Sequence, residues 1–360
     1  MMTRGICFSM ESGGRVVSFA LLTSELRRDE GMELTKERAS LNALADVLPA
    51  MTLALLEAQK LEGATAPNPP VGCVLLDRDG HVLSIAAHQK AGTLHAEALA
   101  IKQCSNPANI HTVVVTLEPC NHTGRTGPCT EAILATPARQ IWIGMADPNP
   151  KVAGGGADRL REAGLNVQFL NDVDAQNLKT DLQRLIAPFT KRTLHGLPWV
   201  TVKQAMNAHG SMIPPIGQKT FTSQSSLILA HKLRRRADAI ITGSGTVLAD
   251  DPHFTVRLVE DFAGKQRHLV LFDRRRRVPQ SYLEAAANRG FKVSFADDLH
   301  TALKNLAEQG ALEVLVEAGP SLNQSILNSN LWDEHVLITQ GDPDQIQIIQ
   351  NRQANVFRNH

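Results

Sequence analysis

Apolar residues recur at helical spacing between Ala43 and Leu61, through Leu48, Met51, Leu55 and Ala58, and predict a helix. The breaker cluster Ala66-Pro67-Asn68-Pro69-Pro70 ends it. Val71–Leu76 is a near-continuous apolar run, as expected of a strand buried on both faces, and Asp77-Arg78-Asp79-Gly80 reads as a hairpin turn. A helix is predicted over His95–Gln103, a buried strand over Thr112–Leu117, a helix over Cys129–Leu134 and a strand over Ile141–Met145. The glycine-rich turn Lys151–Gly156 leads into a helix from Ala157 to Ala163. A polar helix over Ala175–Leu185 is expected to stop at Ala187-Pro188, and Gly196-Leu197-Pro198 reads as a junction between domains.

The pattern then restarts. Strands are predicted at Trp199–Lys203, Ala239–Thr242, His268–Phe272, Phe291–Phe295 and Glu313–Val316, separated by helices near Ser225–Arg236, Thr301–Gln309 and Ser321–Asn328. This alternation predicts two layered α/β units, with no internal repeat of the first in the second. The expected division is an ill-defined extension over 1–40, a first domain over 41–192 and a second over 193–360.

Composition narrows the class. A chain of 360 residues exceeds the usual span of one core, which agrees with two domains. A formal net charge of +1 gives no general attraction to nucleic acid or to membranes. No apolar run approaches the roughly 20 residues that span a bilayer. Five cysteines form no even-numbered disulfide framework, which points to a reducing cytoplasm. Met32 or Met51 could serve as the functional start.

The chemistry concentrates in His95-Ala96-Glu97, Pro119-Cys120 and Cys129. One imidazole and two thiolates can hold a tetrahedral zinc and leave its fourth position open to a water, whose pKa the ion lowers. Glu97, two residues from the histidine, is suited to act as general base and then acid. This resembles the H-x-E…P-C-x-x-C signature of zinc deaminases, except that eight residues separate the cysteines. The triple glycine at 154–156 is a weak phosphate-loop signal because no Lys-Ser/Thr follows; a turn serving chain geometry is the simpler reading.

A wider string narrows the substrate. Pro67-Asn68-Pro69-Pro70-Val71-Gly72, His88-Gln89-Lys90-Ala91-Gly92, Thr116-Leu117-Glu118-Pro119-Cys120, the insertion with His122, Gly124, Arg125 and Thr126, and Ala146-Asp147-Pro148-Asn149-Pro150 together resemble the bifunctional pyrimidine deaminase/reductases of riboflavin biosynthesis. The second half adds His231-Lys232-Leu233-Arg234, the stretch Gly243–Arg257, and Val316-Glu317-Ala318-Gly319-Pro320-Ser321-Leu322.

The resemblance implies a cytidine-deaminase-like three-layer domain followed by a dihydrofolate-reductase-like domain, using Zn2+ and NADPH on a small phosphorylated pyrimidine. It also implies a homo-oligomer. It makes Glu97 catalytic and His95, Cys120 and Cys129 metal ligands. Asn68, His88, His122, Arg125 and Thr126 would bind the first substrate, and Lys203, Arg234, Phe254, Arg257 and Glu317 the second, with Arg234 and Arg257 facing its phosphate. Ala205, Thr246, Asp250, Gly319, Pro320, Ser321 and Leu322 would meet the cofactor. The run Asp273-Arg274-Arg275-Arg276-Arg277 reads first as a solvated loop, with a cofactor 2′-phosphate as the alternative for one of its arginines.

Three departures bear on reduction. Asn207-Ala208-His209-Gly210 replaces a usual Ser-Leu-Asp-Gly, Thr220 stands where an aromatic residue is common, and the usual closing strands are not evident in Gln340–His360. An active deaminase with an impaired reductase is therefore the first alternative. A tRNA adenosine deaminase would be a small basic domain with P-C-x-x-C, and a zinc scaffold would not need Glu97.

Overall fold

The computed structural model describes residues 47–122, 127–150, 153–170, 175–215, 217 and 220–351. The extension over 1–40, with Met32, lies outside them, as do Arg125 and Thr126.

The described residues open on helix α1 (47–59), whose Met51, Ala54, Leu55 and Ala58 are buried. A five-stranded sheet follows, in the order β2-β1-β3-β4-β5, with β1 (Gly72–Leu76), β2 (Val82–Ala87), β3 (Thr112–Leu117), β4 (Gln140–Met145) and β5 (Asn166–Phe169). The hairpin β1–β2 and the pair β1–β3 are antiparallel, whereas β3, β4 and β5 run parallel. Helices α2 (Ala96–Gln103), α3 (Cys129–Leu134) and α4 (Gly155–Glu162) belong to this half. Every residue of β1 and β3 is buried, so their largely apolar runs, broken in β3 by Thr112 and Thr116, reflect cover on both faces.

Helix α5 (Gln176–His195) corrects one expectation, since it continues through Pro188. Leu182, Leu185, Ile186 and Thr190 are buried along it, and this packing outweighs the backbone bond that proline removes. The boundary expected at 192/193 falls in its last turn. The helix ends at Gly196, whose φ of 66° suits a residue without a Cβ.

The second sheet has seven strands in the order β12-β11-β6-β10-β7-β8-β9. They are β6 (Trp199–Met206), β7 (Ala239–Gly243), β8 (Arg267–Phe272), β9 (Phe291–Ala296), β10 (Glu313–Val316), β11 (Glu334–Thr339) and β12 (Gln345–Gln350). All neighbours are parallel except β11 and β12. Helices α6 (Gln224–Arg236), α7 (Ser244–Asp250), α8 (Gln280–Asn288), α9 (Leu299–Glu308) and α10 (Pro320–Asn328) connect them.

Strand β12 corrects the reading of the polar tail. Gln345-Ile346-Gln347-Ile348-Ile349-Gln350 pairs along the whole of β11, yet all six residues are exposed. A strand exposed on both faces carries no buried-face pattern by which a sequence could announce it.

Candidate functional site

His95 is the N-cap of α2, and Glu97 lies in that helix's first turn. Cys129 opens α3, while Cys120 lies in the loop after β3. Two helix N-termini thus converge on one point, and their partial positive charge favours thiolates there. His95 Nδ1 is 3.5 Å from Cys120 Sγ and 3.4 Å from Cys129 Sγ. All three donor atoms lie within 4.8 Å of one another. A tetrahedral zinc, with bonds of about 2.1 Å to nitrogen and about 2.3 Å to sulfur, needs donors roughly 3.6 Å apart, so the triplet fits the ion. Without a cation, the hydrogen bond between the two thiols dominates their ionisation. It draws Cys120 down to about 4 and pushes Cys129 up, so one proton is shared. A bound divalent ion would displace that proton.

Glu97 is 3% exposed, and burial raises its carboxyl pKa. A carboxylic acid near the metal with a raised pKa is suited to accept and return a proton. Beside it, His88 donates from Nδ1 to Leu94 O at 3.1 Å, which leaves Nε2 to accept from Asn68 Nδ2 at 3.2 Å. The His88 ring also meets His95 edge to face, with centroids 5.1 Å apart. The structure therefore brings Asn68, His88, His95, Glu97, Cys120 and Cys129 together. His122 is exposed, within electrostatic reach of Asp147. Asp147 went unnoticed as a site residue, although its Asp-Pro-Asn-Pro context was visible. A second acidic cluster, Asp77, Asp79 and His81, is explained by its turn: Asp77 Oδ1 accepts from the backbone N–H groups of Asp79 and His81.

In the second sheet, several candidate residues follow the carboxyl ends of parallel strands, where open α/β sheets bind ligands, while Lys203 and Ala205 lie within β6. Glu317 follows β10, Lys203 sits on β6, and Arg234 on α6 reaches across. The Arg234 guanidinium binds Glu317 through two bonds of 2.5 and 2.9 Å, and Lys203 Nζ is 3.1 Å from the same carboxylate. Burial alone would raise the Glu317 carboxyl, but Lys203 and Arg234 outweigh it and hold it at about 2. Phe254, at φ 55°, lies 5.9 Å from the Arg234 guanidinium. Arg234 and Lys203 thus share one carboxylate, so the cluster keeps a net positive charge. Arg257 is suited to a phosphate as well: among the described residues its NH1 donates to Thr255 Oγ1 at 2.6 Å. Sequence reasoning missed the support beneath it: His231 Nδ1 accepts the backbone N–H of Arg257 at 2.8 Å.

The expected cofactor residues divide. A Cβ added to Gly319 would stand 3.4 Å from Thr246 Oγ1, and one added to Gly243 would stand 3.4 Å from Leu322. The turn Gly319-Pro320-Ser321-Leu322 therefore abuts α7. Thr246 Oγ1 is buried with no hydrogen-bond partner, and the N-terminus of α10 has no side-chain cap. Unused donors at that place fit a cofactor phosphate. Ala205 lies in β6 opposite Ile338 of β11, and Asp250 is exposed at the end of α7. Within the arginine run, Arg276 stacks on Phe295 at 4.0 Å and Arg277 donates to Ser244 Oγ at 2.8 Å.

Two family models match the two sheets. The cytidine and deoxycytidylate deaminase zinc-binding region covers residues 46–145, and the RibD C-terminal domain covers 198–340. The riboflavin biosynthesis protein RibD of Aquifex aeolicus is 34% identical over 310 residues, 80% of this chain and 85% of that protein. The chain belongs to the RibD family. The RibD of Escherichia coli is 32% identical over 320 residues, covering 80% of this chain and 85% of its own. Among solved structures, Acinetobacter baumannii RibD is 30% identical with a TM-score of 0.71, covering 82% of this chain and 87% of its own. The diaminohydroxyphosphoribosylaminopyrimidine deaminase/5-amino-6-(5-phosphoribosylamino)uracil reductase of Thermotoga maritima is 27% identical with a TM-score of 0.69, covering 80% and 85%.

Membership in the RibD family makes the chain a bifunctional riboflavin-biosynthesis enzyme. A zinc-dependent deaminase domain precedes an NADPH-dependent reductase domain. Among the described residues, no helix is long and apolar enough to cross a membrane.

Proposed function

We propose that the chain hydrolytically removes the 2-amino group of 2,5-diamino-6-(5-phosphoribosylamino)pyrimidin-4-one and then reduces the ribosyl chain of the product to ribityl. The observation that carries this reading is the buried Glu97 beside the three metal-ligating side chains His95, Cys120 and Cys129. Zinc, when bound there by those three residues, supplies an activated water. Glu97 takes one proton of the attacking water and passes it to the ring nitrogen, then takes the second from the newly added hydroxyl and gives it to the departing amine, which leaves as ammonia. Asn68, oriented by His88, offers its amide oxygen to a ring N–H or amino group, and His122 stands at the edge of the pocket. Arg125 and Thr126 complete the assignment from the family pattern.

In the second domain, Glu317 and Lys203 meet the ribosyl hydroxyls, Phe254 packs beneath Arg234, and Arg257 takes the substrate phosphate. Thr246 and the Gly319–Leu322 turn hold NADPH phosphates, with Ala205 and Asp250 along the cofactor's length. The departures in this half do not remove these groups. His209 and Thr220 are exposed, and the turn at Asn207 closes on its own Oδ1, which accepts from His209 N and Ser211 N.

The formal charge of +1 supports a small-molecule substrate over nucleic acid. We place the enzyme in the cytoplasm as a homo-oligomer, for which the exposed Ile346, Ile348 and Ile349 on edge strand β12 offer a surface. Incubating the zinc-loaded enzyme with the diaminopyrimidine phosphate, with and without NADPH, tests the reading. Ammonia should appear in both, and NADPH should be oxidised only after ammonia release. Ammonia without NADPH oxidation would select the impaired-reductase alternative.

A further inference from the structure

The glycine run at 154–156 is a cradle, and a side chain of the chain itself fills it. The Glu118 carboxylate, 6% exposed, accepts four backbone N–H groups from one segment. Oε2 takes those of Asp147 at 3.3 Å and Gly154 at 3.0 Å; Oε1 takes those of Gly156 at 3.1 Å and Ala157 at 3.0 Å. The last three are donors at the start of α4, whose N-cap Gly154 has φ 81° and offers no side chain of its own. An internal anion therefore caps this helix, which neutralises its dipole. The contact is tight: a Cβ on Gly156 would stand 1.9 Å from Pro119 O.

Glu118 precedes Pro119-Cys120 by no intervening residue, so the carboxylate ties the metal loop directly to the segment from 147 to 157. Asn121, on the other side of Cys120, adds a second tie by donating to Gly155 O at 3.2 Å, and Thr130 Oγ1 holds it from behind at 2.9 Å. Asp147 at the head of that segment is within electrostatic reach of Cys120 and His122. We propose that Glu118 is a positioning residue of the deaminase: it sets the 147–157 segment against the metal loop and so fixes the wall of the pyrimidine pocket that Asp147 begins. This rests on the pyrimidine reading above. It also explains why glycine is needed at 154, for its φ of 81°, and at 156, for the close approach of Pro119 O, with no phosphate to bind.

The test is Glu118→Gln in the full-length, zinc-loaded enzyme. The amide keeps the shape but turns one acceptor into a donor, so two of the four N–H groups lose their partner. Deamination should show a KM raised at least about 10-fold with kcat within about threefold and unchanged zinc content. Without any substrate, amide exchange at Asp147, Gly154, Gly156 and Ala157 should accelerate at least about 10-fold while the β3 and β4 amides stay protected. A lowered melting temperature with KM unchanged, or four amides exchanging at the wild-type rate, overturns the proposal. If the variant does not fold, Asn121→Ala takes its place: it loosens the weaker tie and should raise KM about threefold, and an unchanged KM again overturns it. Wild-type ammonia release on the same substrate checks the pyrimidine reading separately, and the exchange measurement decides about Glu118 whichever way that falls.

Discussion

Asn68 Nδ2 donates to His88 Nε2 across 3.2 Å, and the opposite ring nitrogen of His88 is committed to Leu94 O. The tautomer of a buried histidine is thereby set by a backbone carbonyl, and the orientation of the asparagine amide follows from it. Burial also lowers the pKa of His88, which keeps it neutral and able to accept. Asn68→Ala should leave zinc content unchanged and lower kcat/KM for deamination about 10- to 100-fold, the range of one lost buried hydrogen bond to a substrate. Steady-state ammonia release checks this. A loss below about threefold would return Asn68 to a purely local role in the proline-rich turn.

Glu97→Gln preserves volume and removes the exchangeable acid. The variant should bind one zinc per chain, keep its melting temperature within a few degrees, and lose at least about 100-fold in ammonia release, the lower range for general acid–base catalysis. Because reduction uses separate residues, NADPH-dependent turnover of independently supplied deaminated substrate should be unchanged. Measuring both activities on one preparation distinguishes a lost base from a misfolded chain.

How much of this was legible depended on what each residue pairs with. The zinc triplet could be read because His95 and Cys129 stand at helix entries and Cys120 follows a buried strand, so their places in local structure were visible in the pattern. The buried strands β1 and β3 were equally open to pattern. Pro188 misled because a proline's local cost is visible and the packing of Leu185 and Ile186 around it is not. Strand β12 was hidden because none of its residues is buried. The Arg234–Glu317 pair was not legible, because 83 residues separate the two and no local spacing joins them.

That pair carries a prediction for the reductase. Glu317→Gln leaves Lys203 and Arg234 without their shared counter-charge and should lower NADPH-dependent reduction at least about 10-fold while ammonia release is unaffected. It should also remove part of the acid sensitivity of the fold. The Glu317 carboxyl is held at about 2, below its ordinary value of 4.5. Its contribution is therefore complete above pH 4.5 and is lost as pH falls through 2. Unfolding followed from pH 5 to 2 should show a shallower loss of stability in the variant than in the wild type.

The junction between the two halves should respond to pH in the opposite direction. Arg236 lies between Glu313 at 2.5 Å and Glu334 at 3.5 Å, with Glu62 of the first half nearby. Gly63 presses so closely on it that an added Cβ would stand 2.3 Å from Arg236 O. Burial pushes Glu313 up to about 7 despite Arg236, with Glu62 and Asp238 adding repulsion. A carboxyl raised above its unfolded value of 4.5 contributes stability that is complete below pH 4.5 and lost as pH rises through 7. The full effect is on the order of 3–4 kcal/mol at about 1.4 kcal/mol per pKa unit. Glu313→Gln keeps a hydrogen-bonding group there and does not titrate. The urea midpoint of the wild type should therefore fall relative to that of the variant as pH rises from 5 to 8. The comparison cancels His88, His231, His268 and His335, whose lowered values produce the contrary slope in both proteins. Parallel midpoints across that range would mean that Glu313 is already ionised at pH 5 and that Arg236 outweighs its burial.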